Sequence, residues 1–470
     1  MSRRPREDHT PLTGAEEEIK RLEEADRRFI WHPFTQMRDW AAETPVVIAE
    51  GRDCFLRDVR GRWYLDGVSS IWVNIHGHRK KELDDAVREQ LGRIAHSTLL
   101  GLSNVPAIRL AERLVALMQA SFGPGAPSRV FYSDNGSTAV EVALKMAFQY
   151  WAQKGVEGKH TFLSLVNAYH GDTLGAVSVG GVDIFHKLFK PLLFPTFKAP
   201  SPDCYRCALC AESPPDCGLL CLKAMERILK EHAPEIAAVI VEPLVQAAGG
   251  MVVAPRGYLK GVSSLCKRYG VLLIADEVAT GFGRTGRMFA CEHEGVVPDI
   301  ICLSKGITGG YLPLAATLAT DEVYGAFLGE YKELKTFFHG HSYTGNPLGA
   351  ACALACLDVF EKEGTLESLA PNISLLEDWL ARTSLHPHVG NVRNAGLMAG
   401  VELVREKESK EPYPWEEKMG WQVALAARDK GVFIRPLGNV LVLMPPLAIS
   451  PENLKTMLTV IENAIEKVTR

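Results

Sequence analysis

The sequence predicts an α/β fold, a mostly parallel central sheet covered on both faces, with a second and smaller lobe. Three observations predict it. Short apolar runs alternate with helix-patterned segments between residues 129 and 303. The runs are of strand length and nearly continuous in apolar character, as strands buried on both faces are. After about residue 350 the pattern changes to helices with a few strands. The chain has 470 residues, 47% of them hydrophobic, which is enough for a large core and more than one lobe.

Taken in order, residues 15–31 read as a charged helix. Val46 to Asp66 holds two or three short strands, with Gly51 and Gly61 marking turns. Residues 80–95 are helical by pattern. The alternation then sets strands at Arg129–Tyr132, Thr161–Val166, Ala237–Glu242, Val271–Asp276 and Ile300–Leu303. Helices such as Thr138–Trp151 and Leu219–His232 lie between them. The last lobe carries strands at Met398–Val404 and Val440–Leu443. There are no internal repeats or low-complexity tracts.

Lys and Arg total 52 against 56 Asp and Glu, a net charge of −4, so there is no global basic field of the kind nucleic-acid binders use. Arg3, Arg4 and Arg6 sit beside the acidic Glu16 to Glu18 and read as a solvated tail. No apolar stretch approaches the ~20 residues of a spanning helix. The N-terminus is charged where a secretion signal needs an apolar core, so the expectation is a cytosolic enzyme without membrane contact. Most of the 11 cysteines lie alone in apolar runs as small hydrophobes.

The chemistry begins with two neighbouring strands. One ends in an acid, Val271-Leu-Leu-Ile-Ala-Asp276-Glu-Val278, and the next ends in a lysine, Ile300-Ile-Cys-Leu-Ser304-Lys305-Gly306. Sites in open parallel sheets lie beyond the carboxyl ends of the strands, so Asp276 and Lys305 should meet in one crevice. A half-buried lysine there can form a Schiff base with an aldehyde cofactor and act as a base. A carboxylate beside it would hold a cofactor ring nitrogen protonated. The plainer reading is a lysine capping a strand beside a glycine turn.

A phosphate site is expected at Tyr132-Ser-Asp134-Asn-Gly136-Ser137-Thr138, which follows a strand and opens an amphipathic helix. Thr138 and Glu141 have capping-box spacing. Gly136 permits close backbone approach, and the helix start offers free N–H groups to an anion. The alternative is an ordinary strand-to-helix turn. Tyr169, in Asn167-Ala-Tyr169-His170-Gly171-Asp172, is placed to stack on a flat heterocycle, although most such tyrosines are packing residues. Gly281-Phe-Gly283-Arg284-Thr-Gly286 matches the dinucleotide fingerprint, but it falls late in the alternation and no packing helix follows. Arg284 reads better as a contact for an anionic substrate group than as part of a nicotinamide site.

These motifs, with Gly340-His341-Ser342-Tyr343-Thr344-Gly345-Asn346-Pro347, resemble the class III aminotransferases of fold type I, over roughly residues 30–465. The resemblance implies pyridoxal 5'-phosphate on Lys305, Asp276 at the ring nitrogen, Val278 and Tyr169 against the ring, and Gly136 and Ser137 at the phosphate. It implies a large cofactor-binding domain over residues 81–350, flanked by 1–80 and 351–470, which together make a smaller α/β domain. It also implies a homodimer with shared sites, in which His341 and Ser342 reach the neighbouring subunit's phosphate and Gly340 its substrate.

Within the family, Trp31-His32-Pro33-Phe34-Thr35-Gln36-Met37, Ser69-Ser70-Ile71-Trp72, His76-Gly77-His78 and Arg435-Pro436-Leu437-Gly438 are similar to the branch that aminates 8-amino-7-oxononanoate to 7,8-diaminononanoate in biotin synthesis. That similarity implies Arg435 on the substrate carboxylate, with Phe34, Trp72 and Tyr169 along the substrate channel. Phe34 stands where many members have Tyr, and Ile71 where many have a second Trp. These departures are similar to members that take the amino group from L-lysine rather than S-adenosylmethionine, and both donors stay open. The competing functions are another class III ω-amino acid aminotransferase, a nicotinamide-dependent dehydrogenase and a silent binding protein.

One cluster stands outside this chemistry. Cys204-x2-Cys207-x2-Cys210-x6-Cys217-x3-Cys221 lies in the Pro-rich stretch from Pro200 to Pro215. Its spacing suits zinc or an iron–sulfur cluster. The other reading, taken here, is a surface loop of reduced thiols with no metal at the active site.

Overall fold

The computed structural model describes residues 16–210 and 217–470. The tail arginines Arg3, Arg4 and Arg6, and Pro214 and Pro215 of the cysteine-rich stretch, lie outside the described residues.

Seven strands make the central sheet: β1 Arg129–Ser133, β2 Thr161–Leu165, β3 Phe197–Ala199, β4 Ile236–Val241, β5 Leu272–Asp276, β6 Ile300–Leu303 and β7 Ala315–Ala319. Their order is β1-β7-β6-β5-β4-β2-β3. The pairs from β3 through β2, β4 and β5 to β6 are all parallel, and β7 runs antiparallel between β6 and β1. Every residue of β4, β5, β6 and β7 is buried, as a sheet covered on both faces requires. Helices Gly136–Gln153, Leu220–His232 and Tyr258–Tyr269 supply cover at the expected points of the alternation. Strands β3 and β7 were not read from the sequence. The first has three residues, and the second, Ala-Ala-Thr-Leu-Ala, has little bulk to announce it.

The N-terminal segment and the end of the chain share a second sheet. Strands Ile48–Arg52, Phe55–Asp58 and Trp63–Asp66 form a meander, and Val432–Phe433 joins its edge parallel to Trp63–Asp66. A third sheet holds Val389–Ala395, Met398–Glu406 and Glu411–Pro412, with Val440–Leu443 paired to the long middle strand. The chain ends in the amphipathic helix Pro451–Val468, capped by the Ser450 hydroxyl accepting from Asn453 N. No helix among the described residues is long and apolar enough to cross a membrane.

Arg284 joins these parts, and its position corrects the sequence reading. It was expected to face an anionic substrate; instead it is 1% exposed and donates only to backbone carbonyls. Nη1 reaches Pro445 O at 2.7 Å, and Nη2 reaches Asn74 O at 2.8 Å and Trp72 O at 3.2 Å. The guanidinium thus ties the Gly281–Gly286 turn to the strand exit at Pro445 and to the segment after Trp72. A buried cation is tolerated only with such partners. Replacing it by a nonpolar side chain orphans three carbonyls. Arg284→Met should therefore lower unfolding free energy by about 3 kcal/mol or more in chemical denaturation of the holoenzyme. An unchanged unfolding midpoint would contradict this structural role.

Candidate active site

The carboxyl ends of β5 and β6 set the site. These strands pair in parallel with Asp276 opposite Cys302, so both chains leave the sheet at the same edge. Asp276 is the last residue of β5, and Lys305 lies two residues past the end of β6. Both line a cavity of about 1490 Å³. That is larger than the ~300–1000 Å³ that holds one small ligand, and leaves room for a cofactor with a substrate.

Lys305 adopts a left-handed φ of 44°, which turns the chain out of the sheet. Its Nζ lies 5.0 Å from the centre of the Trp72 ring. Burial drives the Lys305 amine below its ordinary value, while the Asp276 and Glu242 carboxylates pull the other way. The net effect favours a neutral amine, the form that acts as nucleophile and base.

Asp276 is fixed by two contacts. Its Oδ1 accepts from Val278 N at 3.1 Å, and the His170 imidazole approaches Oδ2 with Nδ1 at 2.7 Å. Since a carboxylate only accepts, Nδ1 carries the proton. His170 Nε2 is buried and has no hydrogen-bond partner among the described residues. The carboxylate keeps acceptor capacity for one more cation or N–H.

Glu242 follows the last residue of β4 and also lines the cavity. Its two oxygens accept from Tyr169 N at 3.0 Å and Ala247 N at 2.9 Å, holding two cavity loops together. Burial pushes its carboxyl up to about 7. The sequence reading quoted both His170 and Glu242 but gave neither a role. The signal for Glu242 was present: an acid ending an apolar strand, as at Asp276.

The helix Gly136–Gln153 opens on the same cavity. Its cap corrects the expected box. Asn135, not Thr138, is the cap: its side chain accepts from Thr138 N, and the Thr138 hydroxyl accepts from Asn135 N. Glu141 does other work, accepting from Gly175 N and Ala176 N at the start of the helix Leu174–Val179. A Cβ at Gly136 would come within 2.5 Å of Val278 Cγ1, so this strand-to-helix turn tolerates no side chain. Ser137 Oγ pairs with Thr173 Oγ1 at 2.8 Å and accepts from Thr173 N at 3.0 Å.

The facing wall comes from the termini. Ser69, Ser70, Ile71 and Trp72 all have left-handed φ, between 48° and 72°. Such a run of non-glycine residues costs free energy and persists only where neighbours over-determine it. Asp66 accepts from Ser70 N and Ser70 Oγ, and Ser69 Oγ donates to Met444 O at 2.6 Å. The turn sets Ile71 and Trp72 on the cavity. Phe34, at φ 49° and 56% exposed, meets the Phe185 ring edge-on at 5.2 Å. Arg435 Nη2 donates to Phe34 O at 3.1 Å, and burial lowers the guanidinium from its ordinary value. Tyr169 donates its hydroxyl to Asp172 at 2.6 Å and lies parallel to His186.

Of the residues singled out from the sequence, Phe34, Trp72, Gly136, Ser137, Tyr169, Asp276, Val278, Lys305 and Arg435 line this one cavity. Arg284 lies behind its wall. Gly340, His341 and Ser342 do not line it: Gly340 is exposed, His341 Nδ1 is 3.5 Å from Asp134 Oδ2, and Ser342 O accepts from His96 Nε2.

The cavity fits pyridoxal phosphate on its own chemistry. An amine and a carboxylate with spare acceptor capacity share one wall. A helix start offers N–H groups where a Cβ would collide with Val278. The comparisons agree. Residues 37–465 match the family described as aminotransferase class-III. A protein of Geobacter sulfurreducens named adenosylmethionine-8-amino-7-oxononanoate aminotransferase is 56% identical over 95% of this chain and 98% of its own length. The crystal structure of the enzyme of that name from Methanocaldococcus jannaschii superposes with a TM-score of 0.90 at 45% identity, covering 96% of this chain and 99% of that one. An (S)-enantioselective omega-transaminase from Thermomicrobium roseum gives 0.89 at 35% identity, covering 96% and 98%. The chain belongs to the class III aminotransferases, which depend on pyridoxal phosphate.

Proposed function

We propose that the protein transfers an amino group to 8-amino-7-oxononanoate, giving 7,8-diaminononanoate for biotin synthesis, with S-adenosylmethionine as donor. The observation that carries this reading is Arg435 in a cavity that Phe34, Ile71, Trp72, Phe185 and Leu437 also line. Apolar side chains and a guanidinium in one cavity suit an aliphatic chain that ends in a carboxylate. The names of relatives 46–56% identical over 95% or more of this chain support the same substrate.

Each residue has a role in that reaction. Bound pyridoxal phosphate supplies an electron sink and carries the amino group from donor to acceptor. Asp276, held by His170, keeps the ring nitrogen protonated. Gly136 and Ser137 would offer the helix start to the phosphate, and Val278 and Tyr169 would pack against the ring. Lys305 carries the cofactor at rest. Released from the cofactor, its amine would serve as general base and then general acid, moving the proton at the donor carbon and, in reverse, at the acceptor carbon. Arg435 orients the acceptor by its carboxylate, so the keto carbon faces Lys305.

The functional unit is a homodimer with shared sites. Exposed apolar side chains, Leu100, Phe338 and Tyr343, flank the segment Gly340–Ser342. A patch of that kind on a soluble chain calls for cover. A second copy supplies it, bringing His341 and Ser342 toward the neighbouring phosphate and Gly340 toward its substrate. Sedimentation should give twice 51.6 kDa, and a monomer that remains fully active would contradict this.

The function is tested by the visible band of the loaded enzyme. S-adenosylmethionine should bleach it, and 8-amino-7-oxononanoate should then restore it. Bleaching by L-lysine alone moves the donor assignment and gives Phe34 its meaning; failure of the amino-keto acid to restore the band overturns the substrate. In the same assay Arg435→Leu should raise the acceptor KM ~10–100-fold, the worth of a charged hydrogen bond, with kcat little changed. A wild-type KM in that variant would remove Arg435 from the substrate.

Glu242 gives a pH prediction. Its carboxyl is pushed up from the ordinary 4.5 to about 7, so the folded protein favours the protonated form. That contribution is complete below the unfolded value and is lost as pH rises through the folded one. Between about pH 5 and pH 8 the wild type should therefore lose thermal stability relative to Glu242→Gln. A melting-temperature difference that stays flat across that range would contradict it.

A further inference from the structure

The cysteine-rich loop takes no part in the chemistry above, yet it is built into the molecule with care. It leaves the sheet at the end of β3. Asp203 Oδ1 accepts from Tyr205 N at 2.9 Å and Arg206 N at 3.0 Å, closing a tight turn. Tyr205 packs so closely on the strand Val389–Ala395 that a Cβ at Gly390 would lie 2.3 Å from its hydroxyl. Lys410 Nζ donates to Tyr205 O at 2.9 Å. Past this anchored turn lie Cys207 and Cys210, both only partly buried and in contact with each other.

The anchor leads to the active-site wall. Arg206 Nε donates to Glu402 Oε1, and Arg393 Nη1 donates to Glu402 Oε2 at 2.7 Å. Arg393 Nε then donates to Met251 O at 2.9 Å and to Gly250 O at 3.1 Å. Gly250 lines the cavity. A change of backbone at Cys207 thus has a short, charged route to Gly249 and Gly250.

The thiols of the chain differ in reactivity. Cys54, Cys266, Cys291, Cys302, Cys352 and Cys356 are buried, and burial raises their thiols far from the reactive form. At Cys207 burial also raises the thiol, but hydrogen bonds from the Cys210 thiol and from the Leu209 and Cys210 backbone N–H groups outweigh it and hold it below the usual range. Two thiols separated by two residues in a turn, one of them favoured as thiolate, are the arrangement of redox dithiols. Among the described residues no group of three or more His, Cys, Asp or Glu is arranged to hold a metal ion.

We propose that Cys207 and Cys210 are a redox-active dithiol that a low-molecular-weight disulfide converts to an internal disulfide, and that the change is transmitted to the cavity wall at Gly249–Met251 through Arg206, Glu402 and Arg393. The Cys207 thiolate attacks one sulfur of the small disulfide, whose S–S bond breaks and releases one thiolate. Cys210 then gives up its proton to water, and its sulfur attacks the Cys207 sulfur, releasing the second thiolate. Two electrons pass from the protein pair to the small disulfide, which ends as two thiols.

The holoenzyme treated with oxidised glutathione tests this by peptide mass spectrometry and amide hydrogen exchange, neither of which depends on the substrate. The peptide containing Cys207 and Cys210 should lose two hydrogens and carry no glutathione. Exchange at Gly249–Met251 should accelerate, and dithiothreitol should reverse both. Cys207→Ser/Cys210→Ser should keep basal activity and show neither response. A stable glutathione adduct, a disulfide to Cys204 or Cys217, or zinc bound in equal amount to the chain and shielding the thiols would overturn the dithiol. Full oxidation with unchanged exchange at Gly249–Met251 would overturn the transmission.

Discussion

Parallel pairing between β5 and β6 is the constraint on which the site depends. With Asp276 opposite Cys302, the two chains must leave the sheet together, and an acid and an amine emerge at one edge. Neighbouring parallel strands β4 and β2 end on the same side, which brings Glu242 and the Tyr169–His170 segment there as well. The antiparallel β7 lies on the far flank of β6 and leaves this edge undisturbed. Cavity-lining groups from four separate strand exits therefore converge.

Burying charge in this sheet has a cost, and the chain meets it with several hydrogen-bond partners for each charge. Glu277 sits directly beside Asp276 yet points away from the cavity, accepting from Thr280 Oγ1, Ala290 N and Cys291 N. Arg284 gives its terminal N–H groups to three carbonyls. Asp276 and Lys305 are different, since each keeps capacity that no group among the described residues satisfies. An anion-ready helix start and a carboxylate with a vacant lone pair form a site preorganised for a cationic ring and a phosphate. The strained turn at Ser69–Trp72 belongs to the same economy: Asp66 and Met444 hold it, and Trp72 stands over the lysine.

Much of this was legible in the sequence, because runs such as Val271–Ala275 and Ile300–Leu303 are apolar on both faces and lead directly to the charged residues Asp276 and Lys305. Less was legible wherever the determining contact is distant in sequence. The left-handed run at residues 69–72 is anchored through Ser69 to Met444, far along the chain, so no local pattern announces it. Arg284 read as a substrate contact because a glycine-rich loop resembles an anion site; its real partners lie at Trp72, Asn74 and Pro445. The helix cap was misplaced by three residues because Asn135 and Thr138 are both good caps, and only the backbone geometry chooses between them. His170 was passed over because its value lies in one contact with Asp276, on a strand that is not its neighbour in sequence or in the sheet.

The account stands on one lysine at one strand exit. Reducing the pyridoxal-phosphate-loaded enzyme with borohydride and mapping the modified peptide measures this directly. The account predicts the label on Lys305, with none on Lys198, whose amine burial also lowers to about 7 but which donates to Ser164, Ser178 and Gly180 instead. A label on any lysine other than Lys305 would contradict it.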